Sequence, residues 1–168
     1  MTSRIAASGL VFLTLLTPVP ALAQSVQLLG QFRDWSAYSA SESAGALCFA
    51  MTKPVSVEPT PDGFTEAYLY LTHRPAEDVA NEVNVVAGYE FAPDQPATLI
   101  IGDNSFELFT QQDSAWLLDP SRGADLAGAM RAGTTLIIEG TNAGGVKVTE
   151  TFSLSGATAA SRAIDGGC

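Results

Sequence analysis

The chain has 168 residues, 46% of them hydrophobic, with 8 Lys+Arg against 18 Asp+Glu and a formal net charge of −10. That length is one domain's worth, and so acidic a surface repels phosphate backbones and anionic headgroups, which argues against nucleic acid or peripheral membrane partners. One histidine, His73, and two cysteines, Cys48 and Cys168, fall short of a structural zinc ligand set, so neither a metal nor another cofactor is expected.

In chain order, Met1 to Gln24 reads as a basic start at Arg4, an apolar run from Ile5 to Leu16, a break at Pro18 and Pro20, and Ala21-Leu22-Ala23 before Gln24. This is the three-part secretory pattern with an A-x-A cleavage site. The apolar run is about a dozen residues where a spanning helix takes roughly 20, so cleavage after Ala23 is expected and a stable transmembrane anchor is not. Residues 1–23 are then signal peptide and 24–168 one β domain, periplasmic or secreted. Cleavage removes Arg4 and no acid, leaving 7 Lys+Arg against 18 Asp+Glu. The acids, among them Glu42, Glu58, Asp62, Glu77, Asp94, Asp113, Asp125 and Glu150, are scattered and read as a solvated surface.

The rest is a series of short strands punctuated by turns. Runs at Phe32 to Tyr38 and Ala46 to Met51 precede a Pro-rich stretch from Lys53 to Gly63 that reads as a surface loop. Glu66 to Thr72 alternates, with Ala67, Leu69 and Leu71 on one face and Tyr68 and Tyr70 on the other. Further runs follow at Glu82 to Ala87, Ala97 to Ile101, Phe106 to Thr110, Thr134 to Thr141 and Val146 to Leu154. The glycine-containing segments Gly102-Asp103-Asn104-Ser105 and Asn142-Ala143-Gly144-Gly145 make hairpin loops between adjacent runs.

Helical signal is confined to two places. Asp119-Pro120 supplies a cap and a first-turn residue, Leu126, Ala129 and Met130 share a face, and Gly133 stops the pattern. Ala157 to Ile164 is Ala-rich and fits a terminal helical turn. The pattern predicts an all-β fold: an antiparallel sandwich or partly open barrel, with one short helix between strands and a short C-terminal helical turn.

Catalytic motifs are missing: the sequence holds no G-x-S-x-G, no H-E-x-x-H, no P-loop and no G-x-G-x-x-G opening a helix. A hydrolase triad would have to use His73, which at the end of a strand reads as a surface or hydrogen-bonding residue. A pair of carboxylates leaves no short signature, and among 18 acids such a pair arises by chance.

The chain resembles the invasion-associated locus B proteins of α-proteobacteria. The likeness is carried by Asp34-Trp35, Cys48-Phe49, Arg74-Pro75, Asn81-Glu82-Val83, Gly88-Tyr89 with Phe91, Phe106 with Leu108-Phe109-Thr110, and Ala115-Trp116. It continues through Ala129-Met130-Arg131 with Gly133, Gly140-Thr141, and Thr151-Phe152-Ser153-Leu154 with Gly156 and Ala159-Ala160. The resemblance implies an exported envelope protein, named for host-cell entry in one pathogenic lineage and with no established reaction. Relatives carry Ser-Arg-Gly-Thr where this chain has Asn142-Ala143-Gly144-Gly145-Val146, and Pro where it has Glu90; the change removes a cation a ligand could use.

Three site expectations follow. The two cysteines of an exported chain read as one Cys48–Cys168 disulfide. Arg74 and Glu82 flank the short connection Pro75 to Asn81 and are expected to form a bidentate ion pair at its base, with Arg74 as an anion anchor the alternative. Tyr68, Tyr70, Tyr89 and Phe91 form a candidate recognition surface, or else lie beneath the Pro-rich loop. Trp35, Trp116, Phe106, Leu108 and Phe109 read as core and rim residues.

The expected function is a non-catalytic binding and interaction module with an envelope or host-surface protein or glycan as partner. The alternative is a periplasmic enzyme acting on envelope glycans or peptides through carboxylates. A deep pocket with two facing carboxylates would favour the enzyme, and an apolar patch rimmed by polar residues would favour binding.

Overall fold

The computed structural model describes residues 26–168, so the expected signal segment and its cleavage site lie outside the described residues. Strands β1 (Val26–Phe32), β2 (Trp35–Glu42), β3 (Gly45–Thr52), β4 (Ser56–Glu58), β5 (Tyr68–Arg74) and β6 (Val79–Val86) form the first part of the chain. The second part contributes β7 (Ala97–Ile101), β8 (Asn104–Gln111), β9 (Ser114–Leu117), helix α1 (Gly123–Ala132), β10 (Thr135–Thr141), β11 (Lys147–Ser153) and helix α2 (Ala157–Gly167). All eleven strands belong to one antiparallel sheet, in the order β1-β2-β3-β5-β6-β9-β8-β7-β10-β11-β4. The fold is all-β and open, with β1 and β4 as free edges.

The sheet nevertheless curls on itself, because only Lys53–Val55 separates β3, third in the order, from β4, last in it. Backbone bonds tie the two flanks together: Val55 N–H donates to Thr151 O at 2.7 Å and Asp34 N–H to Ser155 O at 3.3 Å. The Trp35 indole donates to Ser153 O at 2.9 Å. Curling turns the alternate side chains inward, and Trp35, Leu69, Leu99, Phe106, Leu108, Leu136, Ile138 and Phe152 become fully buried. Each such residue contributes about 1.5–3 kcal/mol by leaving water.

The helices cover what the sheet leaves open. Asp119 accepts from Ser121 N–H at 3.0 Å and caps the short 3-10 turn Pro120–Arg122, which runs into α1. Leu126 and Met130 of α1 and Ala157, Ala160 and Ile164 of α2 join the core. Gly156 starts α2 at φ +100°, and a Cβ there would fall on the Phe32 carbonyl, so only glycine fits. None of the helices among the described residues is long and apolar enough to cross a membrane.

The structure departs from the sequence pattern at several elements. The run Phe32 to Tyr38 is two strands, broken by a tight turn at Arg33, whose φ is +56°. The Pro-rich stretch contains β4, and the C-terminal turn is an eleven-residue helix. Glu150 is not on the surface: it alternates with Val148 and Phe152 on the inward side of β11 and is fully buried. His73 of β5, opposite Cys48 on one side and a bulge of β6 on the other, is also buried, with Nδ1 3.3 Å from Asp165 of α2.

Candidate functional site

The cysteines lie where β3 meets α2. Cys48 faces inward from β3, and Cys168 follows the last turn of α2, its amide donating to Ile164 O. The two are joined as a disulfide with their Cα atoms 5.9 Å apart, closing a separation of 120 residues.

At the β5–β6 connection, Arg74 sits between two carboxylates. Its Nη2 donates to Glu82 Oε2 at 2.6 Å and its Nε to Glu77 Oε2 at 3.2 Å. The pairing with Glu82 therefore rests on one oxygen and is not bidentate, because Glu77, in the 3-10 turn Pro75–Glu77, takes the other edge of the guanidinium. With side chains about a third exposed, the Arg74–Glu82 coupling is expected at about 0.5–1 kcal/mol. Melting curves of Arg74→Ala, Glu82→Ala and the double variant should show each single change destabilising and the double change costing less than the sum. Strict additivity would contradict the pairing.

The outward side of β2, β3 and β5 carries a cluster of rings that strand register alone assembles. Tyr38 lies opposite Phe49 and stacks on it, centroids 5.1 Å apart and planes at 20°. Phe49 meets Tyr70 at 6.2 Å, and Tyr70 meets Tyr68 at 5.9 Å. Continuing across the sheet, Met51 opposes Tyr70, Tyr70 opposes Asn84, Asn84 opposes Trp116 and Trp116 opposes Phe109. Phe109 and Trp116 stack at 5.3 Å and 18°. An aromatic stripe thus crosses the outer face from β2 to β8, interrupted by the amide of Asn84, which donates to Ala115 O at 3.1 Å. Such pairs add about 0.5–1.5 kcal/mol each beyond their burial. They also leave Tyr38, Phe49, Tyr68, Tyr70 and Trp116 only half-buried and Phe109 43% exposed.

The stripe has a charged border. Lys53 pairs with Glu66 and lies 5.3 Å over the ring of Tyr68, whose hydroxyl donates to the same Glu66. The bond from Lys53 holds the Glu66 carboxyl below its ordinary range, and the carboxylate acceptor raises the Tyr68 phenol. Burial raises that of Tyr70. Tyr68 and Tyr70 are half-buried on the outer face, with Lys53 of the Pro-rich stretch over Tyr68.

Tyr89 and Phe91 do not belong to this surface. They are 7% and 5% exposed and meet edge to face at 5.1 Å. Their segment is clamped from both sides, Phe91 N–H donating to Gln112 O and Ala92 N–H to Thr141 O, each at 2.8 Å. A Cβ on Gly140 would lie 2.5 Å from the Phe91 ring and 2.8 Å from the Tyr89 hydroxyl, so the rings occupy the space that glycine leaves. Among the described residues neither the Tyr89 hydroxyl nor either oxygen of Glu150 has a hydrogen-bond partner. Burial pushes the Glu150 carboxyl up to about 8, and burial together with Glu150 raises the Tyr89 phenol. An acid sealed in this way has no access to a substrate.

Trp35, Phe106 and Leu108 are core residues, as their apolar context suggests, whereas Trp116 and Phe109 face outward. Sequence reading missed Tyr38 and Phe49 as site residues because neither has a second aromatic on its own face of its strand, Trp35 of β2 pointing inward, and only the β2–β3–β5 register groups them. Among the described residues no cluster of His, Cys, Asp and Glu suited to a metal ion is present.

The family model described as invasion associated locus B (IalB) protein matches residues 35–165. Among solved structures, the chain is similar to the crystal structure of invasion associated protein B from Bartonella henselae. The TM-score is 0.58 at 16% sequence identity, with 82% of this chain and 95% of that chain covered. The likeness is one of fold. No curated protein matches the sequence.

Proposed function

The chain belongs to the invasion associated locus B family, and on that premise we propose that it is an exported, non-catalytic binding protein that meets its partner with the aromatic outer face. The observation that carries this reading is the half-exposed stripe Tyr38–Phe49–Tyr70–Tyr68 with Phe109–Trp116 beyond it. A run of rings open to water is unfavourable in isolation, and aromatic side chains are enriched where proteins meet. Because Tyr38 and Phe49 stack on each other, as do Phe109 and Trp116, much of each ring face is spent within the stripe. That geometry favours a protein partner over a sugar ring, which would need an open face.

Export is supported by the secretory pattern at residues 1–23 and by a disulfide, which persists in oxidising compartments. The periplasm or release from the cell is the corresponding location. A formal charge of −10 argues against nucleic acid as the partner. The enzymatic alternative has less support, since the carboxyl raised into the neutral range, Glu150, is sealed in the core.

A photo-crosslinking residue placed at Tyr70 tests the reading in the native envelope. It should give a discrete protein adduct, and the same residue at Asp103, in the hairpin loop between β7 and β8, should not. Equal labelling from both positions, or none from Tyr70, would contradict it.

A further inference from the structure

Strand β9 pairs with β6 only at Asn84, Val85 and Val86, and it ends at Leu117. The first half of β6, displaced by a bulge opposite His73, therefore has no strand beside it on that side among the described residues. The result is a groove of about 480 Å³ between Val79–Val83 and the turn at Pro120, with Phe109, Trp116 and Leu117 as its apolar wall.

The charged residues of the groove's lining are both acidic. Asp78 and Glu82 line it, and no Lys or Arg does. Two arginines at its margin are already engaged, one of them with Glu82 of the lining itself. Arg74 is held by Glu77 and by a single oxygen of Glu82. Arg122 lies 4.4 Å over the Phe106 ring and donates to Ser105 O at 3.1 Å. A ligand therefore meets a stacked Trp–Phe pair, a ledge of Leu117 and Pro120, and the acids Asp78 and Glu82, the latter keeping one oxygen outside its bond to Arg74, in a chain of net charge −10.

We infer that this groove docks a short Lys- or Arg-bearing segment of a partner protein. The aliphatic stem of such a side chain covers Leu117, Pro120 and the edge of the Trp116 ring while its cation reaches the carboxylates of Asp78 and Glu82. An acidic segment, or a second copy of this acidic chain, would be repelled. The inference rests on reading the outer face as the contact surface and adds the chemistry of the partner.

The test is a titration with the peptide Lys-Leu-Lys-Leu-Lys, acetylated and amidated, following the two tryptophan indole N–H signals by NMR. The Trp116 signal should move and saturate, and the signal of buried Trp35 should stay, reporting an intact core. Asp78→Asn keeps a residue tolerant of the positive φ at that site; it should weaken binding several-fold, and Trp116→Leu at least tenfold. Glu-Leu-Glu-Leu-Glu should not bind. An unmoved Trp116 signal, equal binding of both peptides, or identical affinity in the two variants and the parent would overturn the assignment. Envelope adducts from Tyr70 without peptide binding would sink the groove alone, and peptide binding without adducts would sink the wider reading of the face alone.

Discussion

Replacing Cys168 with Ser should lower stability by about 4 to 5 kcal/mol. The bond closes 120 residues, and on the chain-entropy view a loop that long is worth close to 5 kcal/mol, because opening it returns freedom to the unfolded chain. Folded domains are stable by only about 5–15 kcal/mol, so the change removes a large share. Its effect should be uneven. Helix α2 has one buried face of small residues, Ala157 and Ala160, with Ile164 the largest, and without the bond it depends on that face and on Asp165 beside His73. Denaturant unfolding of the parent with and without reductant, and of Cys168→Ser, measures the loss. Hydrogen exchange should show the amides of Ala157–Gly167 losing protection first. A loss under about 1 kcal/mol would mean that α2 docks without its tether.

The second large effect is a fall in stability with rising pH that belongs to Glu150. The carboxyl titrates near 8 in the folded chain against an ordinary 4.5. Between those values the folded state keeps a proton that the unfolded state has released, so stability declines as pH rises, by about 1.4 kcal/mol per pH unit. The stabilising contribution is complete below about pH 4.5 and is lost by the time pH passes the folded value of about 8. The side chain is fully buried and neither oxygen has a partner, so little solvent softens the penalty of charging it. Glu150→Gln keeps the shape and removes the charge. Unfolding at pH 5 and pH 8 should show the parent losing several kcal/mol more than the variant, and the variant should be the more stable at pH 8. Parallel pH profiles would show that Glu150 reaches water or a partner.

The elements that could be read in the sequence were those with their own periodicity. Alternation at Ala67 to Leu71 places the tyrosines of β5 outward, and Leu126, Ala129 and Met130 announce α1 with its cap at Asp119. The strands that were missed are short or lie at an edge. The edge strand β1 has no buried residue and so no inward face to alternate, while β4 with three residues and β9 with four have no room for a pattern. Their pairing is set by the fold around them.

The site was legible only where neighbours in space are neighbours in sequence. Arg74 and Glu82 flank one hairpin connection, but Glu77 inside it takes part of the guanidinium and spoils the expected bidentate geometry. Tyr89 and Phe91 sit two residues apart, like Tyr68 and Tyr70, yet they are buried because Gly140, some fifty residues later, lacks a side chain. Glu150 shares the inward period of Val148 and Phe152, a signal that was present and was outweighed by the expectation that a lone acid is solvated.

The claim that the outer aromatic face is the recognition surface is tested most directly by affinity. The partner captured from position 70 is to be titrated against the parent and the Phe49→Ser/Tyr70→Ser double variant. Both side chains face outward and half-exposed, so the variant should fold and keep the buried Trp35 environment while its affinity falls at least tenfold. Unchanged affinity in a folded double variant would contradict the account.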